Sequence, residues 1–253
     1  MYYQTQNDSK PDDHPTEATM LHLGTGQLLW MLQPDDTVED EWNEWYDTEH
    51  VAALMRVPGF LNGARYRLER TLAGVTPPRY LASYELDDLD VLESESYRSN
   101  RSSLGEGMRR HWTQRMLGEV TYAAGGMYHV RDAWQRPATQ PVLPAPRLLL
   151  IGLASGAAQE SWLDEHLPSL RAQAGVRGYR SLALAAGSPR IAGMRDRAEA
   201  AQLLIVCALD AESDPQEPLV ALCADRTASE VTAASYLPIF AAFGQAATTP
   251  SAP

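Results

Sequence analysis

The segment Trp42-Asn43-Glu44-Trp45-Tyr46-Asp47-Thr48-Glu49-His50 sets one histidine among aromatic and acidic residues. At helical spacing Tyr46, His50 and Leu54 share one stripe, and Trp42, Trp45, Glu49 and Ala53 line the next. An imidazole at the edge of such a stripe, with its near-neutral reference pKa, can exchange a proton with a bound molecule. The alternative is a packing histidine bonded to a neighbour. Downstream, Arg65 and Arg67 alternate with Tyr66, so the arginines face one side of a strand and the tyrosine the other. Tyr66, Tyr84, Asn62 and His129 offer phenolic, amide and imidazole groups to a polar aromatic ligand, although each tyrosine alone is equally explained as core. In a desolvated pocket one arginine can bind a carboxylate or stabilise an enolate or phenolate. The expected catalytic set is therefore His50, Tyr66 and Arg65. The expected substrate-binding set is Trp42, Trp45, Tyr46, Glu49, Asn62, Tyr84 and His129.

Other chemistries lack their signatures. Asp47 and Glu49 could orient an imidazole or hold a metal, but no HxxxH or HExxH spacing occurs and the six histidines are scattered. The two cysteines, Cys207 and Cys223, form no CxxC and read as buried thiols. Gly24-Thr25-Gly26 is too short to cradle a phosphate, and Gly105 and Gly107 are not followed by Gly-Lys-Ser/Thr. Neither a metal nor a cofactor is expected.

The elements that position these groups follow from hydrophobic periodicity. GQLLWML reads as a strand, Val38 to Met55 as a helix capped by Thr37, FLNGARYRLE and RYLASYEL as strands, and the stretch after them as a broken helical region. TYAAGGMYHVRDAW carries a fourth strand. A second run repeats this order with RLLLIGLA, AQESWLDEHLPSLRAQAG, VRGYRSLALA, AAQLLIVCALD, a short helix within Pro215 to Ala224, and ASYLPIFAAFG. Two βαββαβ units in tandem result, with first-unit boundaries at 23–134 and second-unit boundaries at 147–244. Residues 135–146, rich in proline, read as a connector, and 1–22 and 245–253 as polar or small-residue tails. Glu49-His50-Val51 against Glu165-His166-Leu167, and Glu119-Val120-Thr121 against Glu230-Val231-Thr232, add local similarities in matching order. His166 is thus the second-half counterpart of His50, with fewer aromatic neighbours. Each unit leaves one sheet face uncovered, so the two are expected to pair sheet to sheet.

The segment EWNEWYDTEHVAALMRVPGFLNGARYRL, followed by RYLASYEL, resembles the ferredoxin-like dimeric α+β barrel superfamily, in particular its EthD-like members, similar to the ethyl tert-butyl ether degradation protein. The second half follows the pattern in part: WLDEHLPSL keeps the histidine, whereas Gly175-Val176-Arg177-Gly178-Tyr179 loosens the Pro-Gly-Phe turn. The resemblance implies an α+β fold in which two fused units form an intramolecular dimeric α+β barrel. It also implies a small pocket worked by His, aromatic and hydroxyl groups, as in cofactor-independent oxygenases, cyclases, isomerases, dehydratases and decarboxylases.

Composition narrows the class further. The chain has 253 residues, 44% hydrophobic and 21% charged, with 33 acidic against 21 basic side chains and a formal charge of -12. That balance repels polyanions, so neither nucleic acid nor an anionic membrane surface is an expected partner. The N-terminus lacks a basic, apolar leader pattern and no long apolar run occurs, which reads as cytoplasmic. The expected partner is a small aromatic or planar metabolite. The expected assembly is a monomer with an internal pseudo-dimer, or a loose homo-oligomer. The expected function is a cofactor-independent lyase or isomerase that moves a proton on an aromatic, phenolic or lactone-like metabolite. Its alternatives are a cofactor-free monooxygenase and a non-catalytic binding protein.

Overall fold

Strand segments such as LLIVCAL are apolar at every position, which demands cover on both faces of a sheet. The computed structural model shows how that cover is supplied. It describes residues 24–103, 108–137, 144–153, 157–187, 196–197, 201–226 and 230–244; the two expected tails and residues 138–143, half of the expected connector, lie outside these residues. The first half contains β1 (Gly26–Pro34), β2 (Phe60–Ala73), β3 (Tyr80–Leu86) and β4 (Val120–Gln135). The second contains β5 (Arg147–Leu153), β6 (Val176–Leu184), β7 (Asp196–Arg197), β8 (Leu203–Leu209) and β9 (Val231–Phe243). Eight of these close an antiparallel barrel in the order β1-β3-β2-β9-β5-β8-β6-β4, and β4 returns to pair with β1. The two-residue β7, which the sequence pattern does not announce, lies parallel to β4 at Tyr122 and Ala123. Gln135 belongs to β4 and not to a connector.

Within each half the spatial order of strands is fourth, first, third, second: β4-β1-β3-β2 and β9-β5-β8-β6. Matching backbone hydrogen bonds recur. Asp87 N–H donates to Gly59 C=O at 2.9 Å, as Asp210 N–H does to Gly175 C=O at 2.9 Å. Leu68 N–H donates to Arg79 C=O at 2.7 Å, as Leu184 N–H does to Gln202 C=O at 2.8 Å. The register slips just after Phe60 and just after Val176.

The helices lie outside the barrel. They are α1 (Glu39–Trp45), α2 (Val51–Leu54), α3 (Glu95–Ser103) and α4 (Met108–Gly118) in the first half, and α5 (Ala157–His166), α6 (Pro168–Arg171) and α7 (Gln216–Cys223) in the second. The expected helix from Val38 to Met55 is a composite: a 3-10 turn at Asp36–Val38, then α1, a π-helical turn at Tyr46–His50, and α2. Its cap is Asp35, not Thr37; the Asp35 carboxylate accepts from Thr37 N–H at 2.9 Å. Gly59 ends the segment with φ of 92°, a backbone conformation that side chains disfavour.

Alternation along the strands sorts the core into three parts. Leu28, Trp30, Tyr80, Ala82 and Tyr84 face the first-half helices, and Leu149, Ile151, Ile205 and Cys207 face the second-half helices. Leu29, Ala64, Tyr66, Leu81, Tyr128, Leu204, Val206 and Tyr236 fill the barrel. The same interior holds a buried polar cluster that joins the halves. Arg180 of β6 pairs with Glu85 of β3, which also accepts from Asn62 Nδ2 and from Gly24 N–H at 3.0 Å. Arg180 further donates to Gln27 Oε1 at 3.4 Å, and Gln27 donates to Ser83 Oγ at 2.7 Å. Arg180 and Glu85 are 1% and 4% exposed, so removing one partner strands the other's charge. Arg180→Leu is expected to lower unfolding stability by about 3–5 kcal/mol. In urea denaturation the double variant Glu85→Gln/Arg180→Leu should lose less than Arg180→Leu alone; an equal or larger loss would show that the pairing is not what holds the cluster.

Candidate functional site

The first-half helix packs the edge of its aromatic stripe against the outer face of β2 and β3. Trp42, Trp45, Tyr46, Tyr84 and Arg65 are all buried there. The Arg65 guanidinium lies over the rings of Tyr46 at 4.3 Å, Trp42 at 5.0 Å and Tyr80 at 5.5 Å. It forms an ion pair with Asp47 and donates to Asn43 Oδ1 at 2.7 Å. Asn43 and Asp47 lie four residues apart, one helical turn, and so present acceptors together. Asn43 Nδ2 in turn donates to Tyr80 Oη at 2.9 Å, Tyr80 donates to Glu39, and Glu39 pairs with Arg79 at the surface. A buried cation is thereby held by a carboxylate, an amide and three ring faces. Glu39 is held below its ordinary range by Tyr80 and Arg79, although its own burial opposes this most strongly.

His50 completes the group. Its ring centroid is 4.7 Å from that of Tyr46 and 4.9 Å from that of Trp45. Part of the residue reaches solvent, yet its Nδ1 is enclosed and finds no hydrogen-bond partner among the described residues. Burial, aided by the nearby Arg65 cation, lowers the imidazole pKa to about 4, so the ring is neutral at physiological pH. Two more enclosed atoms lack partners among the described residues, Trp42 Nε1 and Arg65 Nε, and both can only donate. Tyr84 Oη donates to Tyr46 Oη at 3.4 Å, and burial raises both phenols, Tyr84 strongly, so both stay protonated. The arrangement offers one neutral acceptor or donor at His50, two donors suited to an oxygen atom, and a wall of rings.

The π turn distinguishes this histidine from its counterpart. Within Tyr46–His50 the Tyr46 carbonyl accepts from Val51 N–H, and the turn is wider than an α-helix. In α5, His166 Nδ1 lies 2.8 Å from the Trp162 carbonyl, the ring stacks on Trp162 at 4.6 Å, and Nε2 is 3.9 Å from Asp225. Trp162 Nε1 donates to Asp225 Oδ2 at 3.0 Å and Arg226 covers its ring at 4.3 Å. The second-half histidine thus has its Nδ1 engaged by its own helix, where His50 Nδ1 finds no partner among the described residues.

Not every expected residue joins the group. Tyr66 lies on the opposite face of β2, inside the barrel, where its hydroxyl accepts from Ala145 N–H at 2.9 Å. Asn62 also points inward, to Glu85. The period of two that turns Arg65 outward necessarily turns residues 62, 64 and 66 inward. His129 is exposed on β4, opposite Gly26 and Ala183. Asp47 serves Arg65, not the imidazole. Glu49 is half-buried on the π turn. Among the described residues no cluster of three or more His, Cys, Asp or Glu side chains could hold a metal ion. A surface cavity of about 420 Å³ lies between Arg56–Pro58 and α3, but none of the grouped residues lines it. Asn43 and Tyr80 were legible in principle: Asn43 sits one turn before Asp47, and Tyr80 shares a strand face with Tyr84.

The imidazole's state is directly measurable. A nuclear magnetic resonance titration should place His50 near pH 4, and Arg65→Gln should raise that value by removing the neighbouring cation. Because the folded value lies below the ordinary 6.5, the unfolded chain binds more protons between these limits. This contribution to stability is therefore present above pH 6.5 and lost as the pH falls toward 4; His50→Gln should flatten that part of the stability profile.

No curated protein matches the chain in sequence. An anthrone oxidase-like protein of known structure shares the fold at a TM-score of 0.53 and 12% identity, covering 90% of this chain and 96% of its own. A Lactobacillus acidophilus protein provisionally assigned as a monooxygenase aligns at a TM-score of 0.49 and 8% identity, over 87% of this chain and 96% of its own. The closed antiparallel barrel with outer helices is similar to that of dimeric α+β barrel proteins. Residues 31–177, more than half of the sequence, contain the whole ring–arginine–histidine group, and they match the family described as Domain of unknown function (DUF4286), to which this chain belongs.

Proposed function

We propose that this protein is a cofactor-independent enzyme in which His50 takes a proton from a small aromatic, phenolic or lactone-like metabolite, with a lyase or isomerase outcome. The observation that carries the reading is an enclosed, unpartnered and neutral His50 Nδ1 in the same ring cluster as two enclosed, unpartnered donors, Trp42 Nε1 and Arg65 Nε. Buried polar atoms without partners are costly, and a ligand oxygen between the donors would satisfy two of them. As the substrate loses its proton, negative charge grows on that oxygen beside the Arg65 cation. The developing anion offsets the cation's effect on His50 and raises the basicity of the imidazole when it is needed. Trp45, Tyr46 and Tyr84 hold the ring, and Glu49 lies at the rim.

An oxidative variant draws support from the oxidase-like name of the fold neighbour. There the deprotonated carbon would react with dioxygen, one oxygen remaining as a carbonyl and the other leaving as water with both hydrogens of a substrate methylene. The EthD-like assignment and the origin of the chain by tandem duplication rest on the motif around His50 and on the repeated strand order and hydrogen bonds. We further assign the protein to the cytoplasm, acting as a monomer with an internal pseudo-dimer or a loose homo-oligomer. Nucleic acid and membrane surfaces are not among its partners on this reading. Among the described residues no helix is long and apolar enough to cross a membrane.

Purified protein should be screened against a metabolite mixture, with oxygen consumption monitored and His50→Ala run alongside. A folded His50→Ala variant should lose about 10²–10⁴-fold in turnover. Unchanged turnover would remove His50 from the chemistry, and tight binding without product would favour the non-catalytic alternative.

A further inference from the structure

We propose that Phe240, supplied by the second half of the chain, walls the His50–Arg65 site of the first half and sets the size of ring the site accepts; this rests on the aromatic-substrate reading above. Strand β9 crosses the seam to pair with β2, and its register slips between Arg65 and Tyr66. Tyr66 is opposite Pro238 and Arg65 is opposite Phe240, which leaves Ile239 as the extra residue of a bulge. Pro238 lacks the N–H that a regular ladder would use, so an interruption at this point costs little. The consequence is a change of face. Tyr236 points into the barrel, and uninterrupted alternation would send residues 238, 240 and 242 the same way. The extra residue reverses the alternation, and Phe240 and Ala242 pack instead on the helix-side core that contains Trp42, Trp45, Tyr46 and Tyr84.

Arg65 therefore lies between Ala82 of β3 and Phe240 of β9. The first neighbour is a methyl group, so Phe240 is the large side chain flanking the arginine along the sheet. It is partly buried, whereas Ile239 and Phe243 on the same strand are 42% and 66% exposed. The opposite seam is built alike. Strand β4 slips between Val130 and Asp132, and Trp134 comes to lie opposite Tyr179 with ring centroids 6.0 Å apart. There the Tyr179 hydroxyl is already engaged, accepting from Arg171 Nη2 at 2.9 Å and donating to Asp132 at 2.9 Å. Both seams deliver an aromatic ring across the molecule, but only Phe240 arrives beside Arg65 and its unpartnered Nε.

The test uses the full chain and two probes, phenol and 1-naphthol, with binding followed by tryptophan emission. Relative to wild type, Phe240→Ala should shift the ratio of dissociation constants about tenfold or more in favour of 1-naphthol, because removing the wall makes room for the second ring. Phe240→Leu, which preserves apolar packing, should shift it less, and Phe243→Ala should leave it at the wild-type value. An unchanged ratio in a folded Phe240→Ala variant that still binds both probes overturns the wall, and leaves proton transfer by His50 to be judged by turnover of His50→Ala. Binding of neither probe by wild type or any variant overturns the wall together with the aromatic-substrate class.

Discussion

A four-stranded sheet with helices on one face exposes a second apolar face to water, and covering that face is the constraint on which this molecule is built. The two halves cover each other by pairing β2 with β9 and β6 with β4, which closes the barrel and leaves no long edge on the eight-stranded ring. Closure in turn determines what can be buried. Tyr66, Tyr128 and Tyr236 fill the interior, and the Arg180–Glu85 pair ties one half to the other in a place that neither half could desolvate alone. A buried ion pair adds little net stability, but a mismatched register would leave a charge unpaired, so the pair discriminates against wrong closures.

The two halves share a strand order but differ in chemistry. In the first half a cation is buried beneath the helix, and satisfying it recruits Asp47, Asn43 and the faces of Trp42, Tyr46 and Tyr80. Burial among the surrounding rings, aided by that cation, keeps His50 neutral. In the second half Ser181 sits at the position that follows the turn as Arg65 does, the cation is displaced outward to Arg226, and His166 is tied to its own helix. The first half leaves His50 Nδ1, Trp42 Nε1 and Arg65 Nε enclosed without partners among the described residues; the second half leaves Ser181 Oγ and Arg226 Nε so, but not its histidine Nδ1.

Much of this was legible along the chain. The order of the main strands and helices, the helix expected over Val38–Met55, and the stripes that Trp42 shares with Trp45 and Tyr46 with His50 follow from local periodicity, while Arg65 and Tyr84 are candidates by residue type. Other features were not. The π turn at Tyr46–His50 interrupts a helix whose spacing looks regular, because one extra residue per turn alters hydrogen bonding more than it alters the apolar stripe. Strand alternation separates Tyr66 from Arg65, but only closure of the barrel decides that the face of Tyr66 and Asn62 is the interior. His129 has only its residue type to suggest a site, and it is exposed on β4.

Sequence by itself determined the main strands and helices, their order, and which side chains share a stripe or a strand face, since each of these depends on residues a few positions apart. Only the tertiary structure decided which faces meet. Phe240 comes to lie opposite Arg65 through a bulge in a strand from the far end of the chain. Such an event leaves almost no local pattern, because register across a seam is set by long-range pairing and by what must be buried on each side of it.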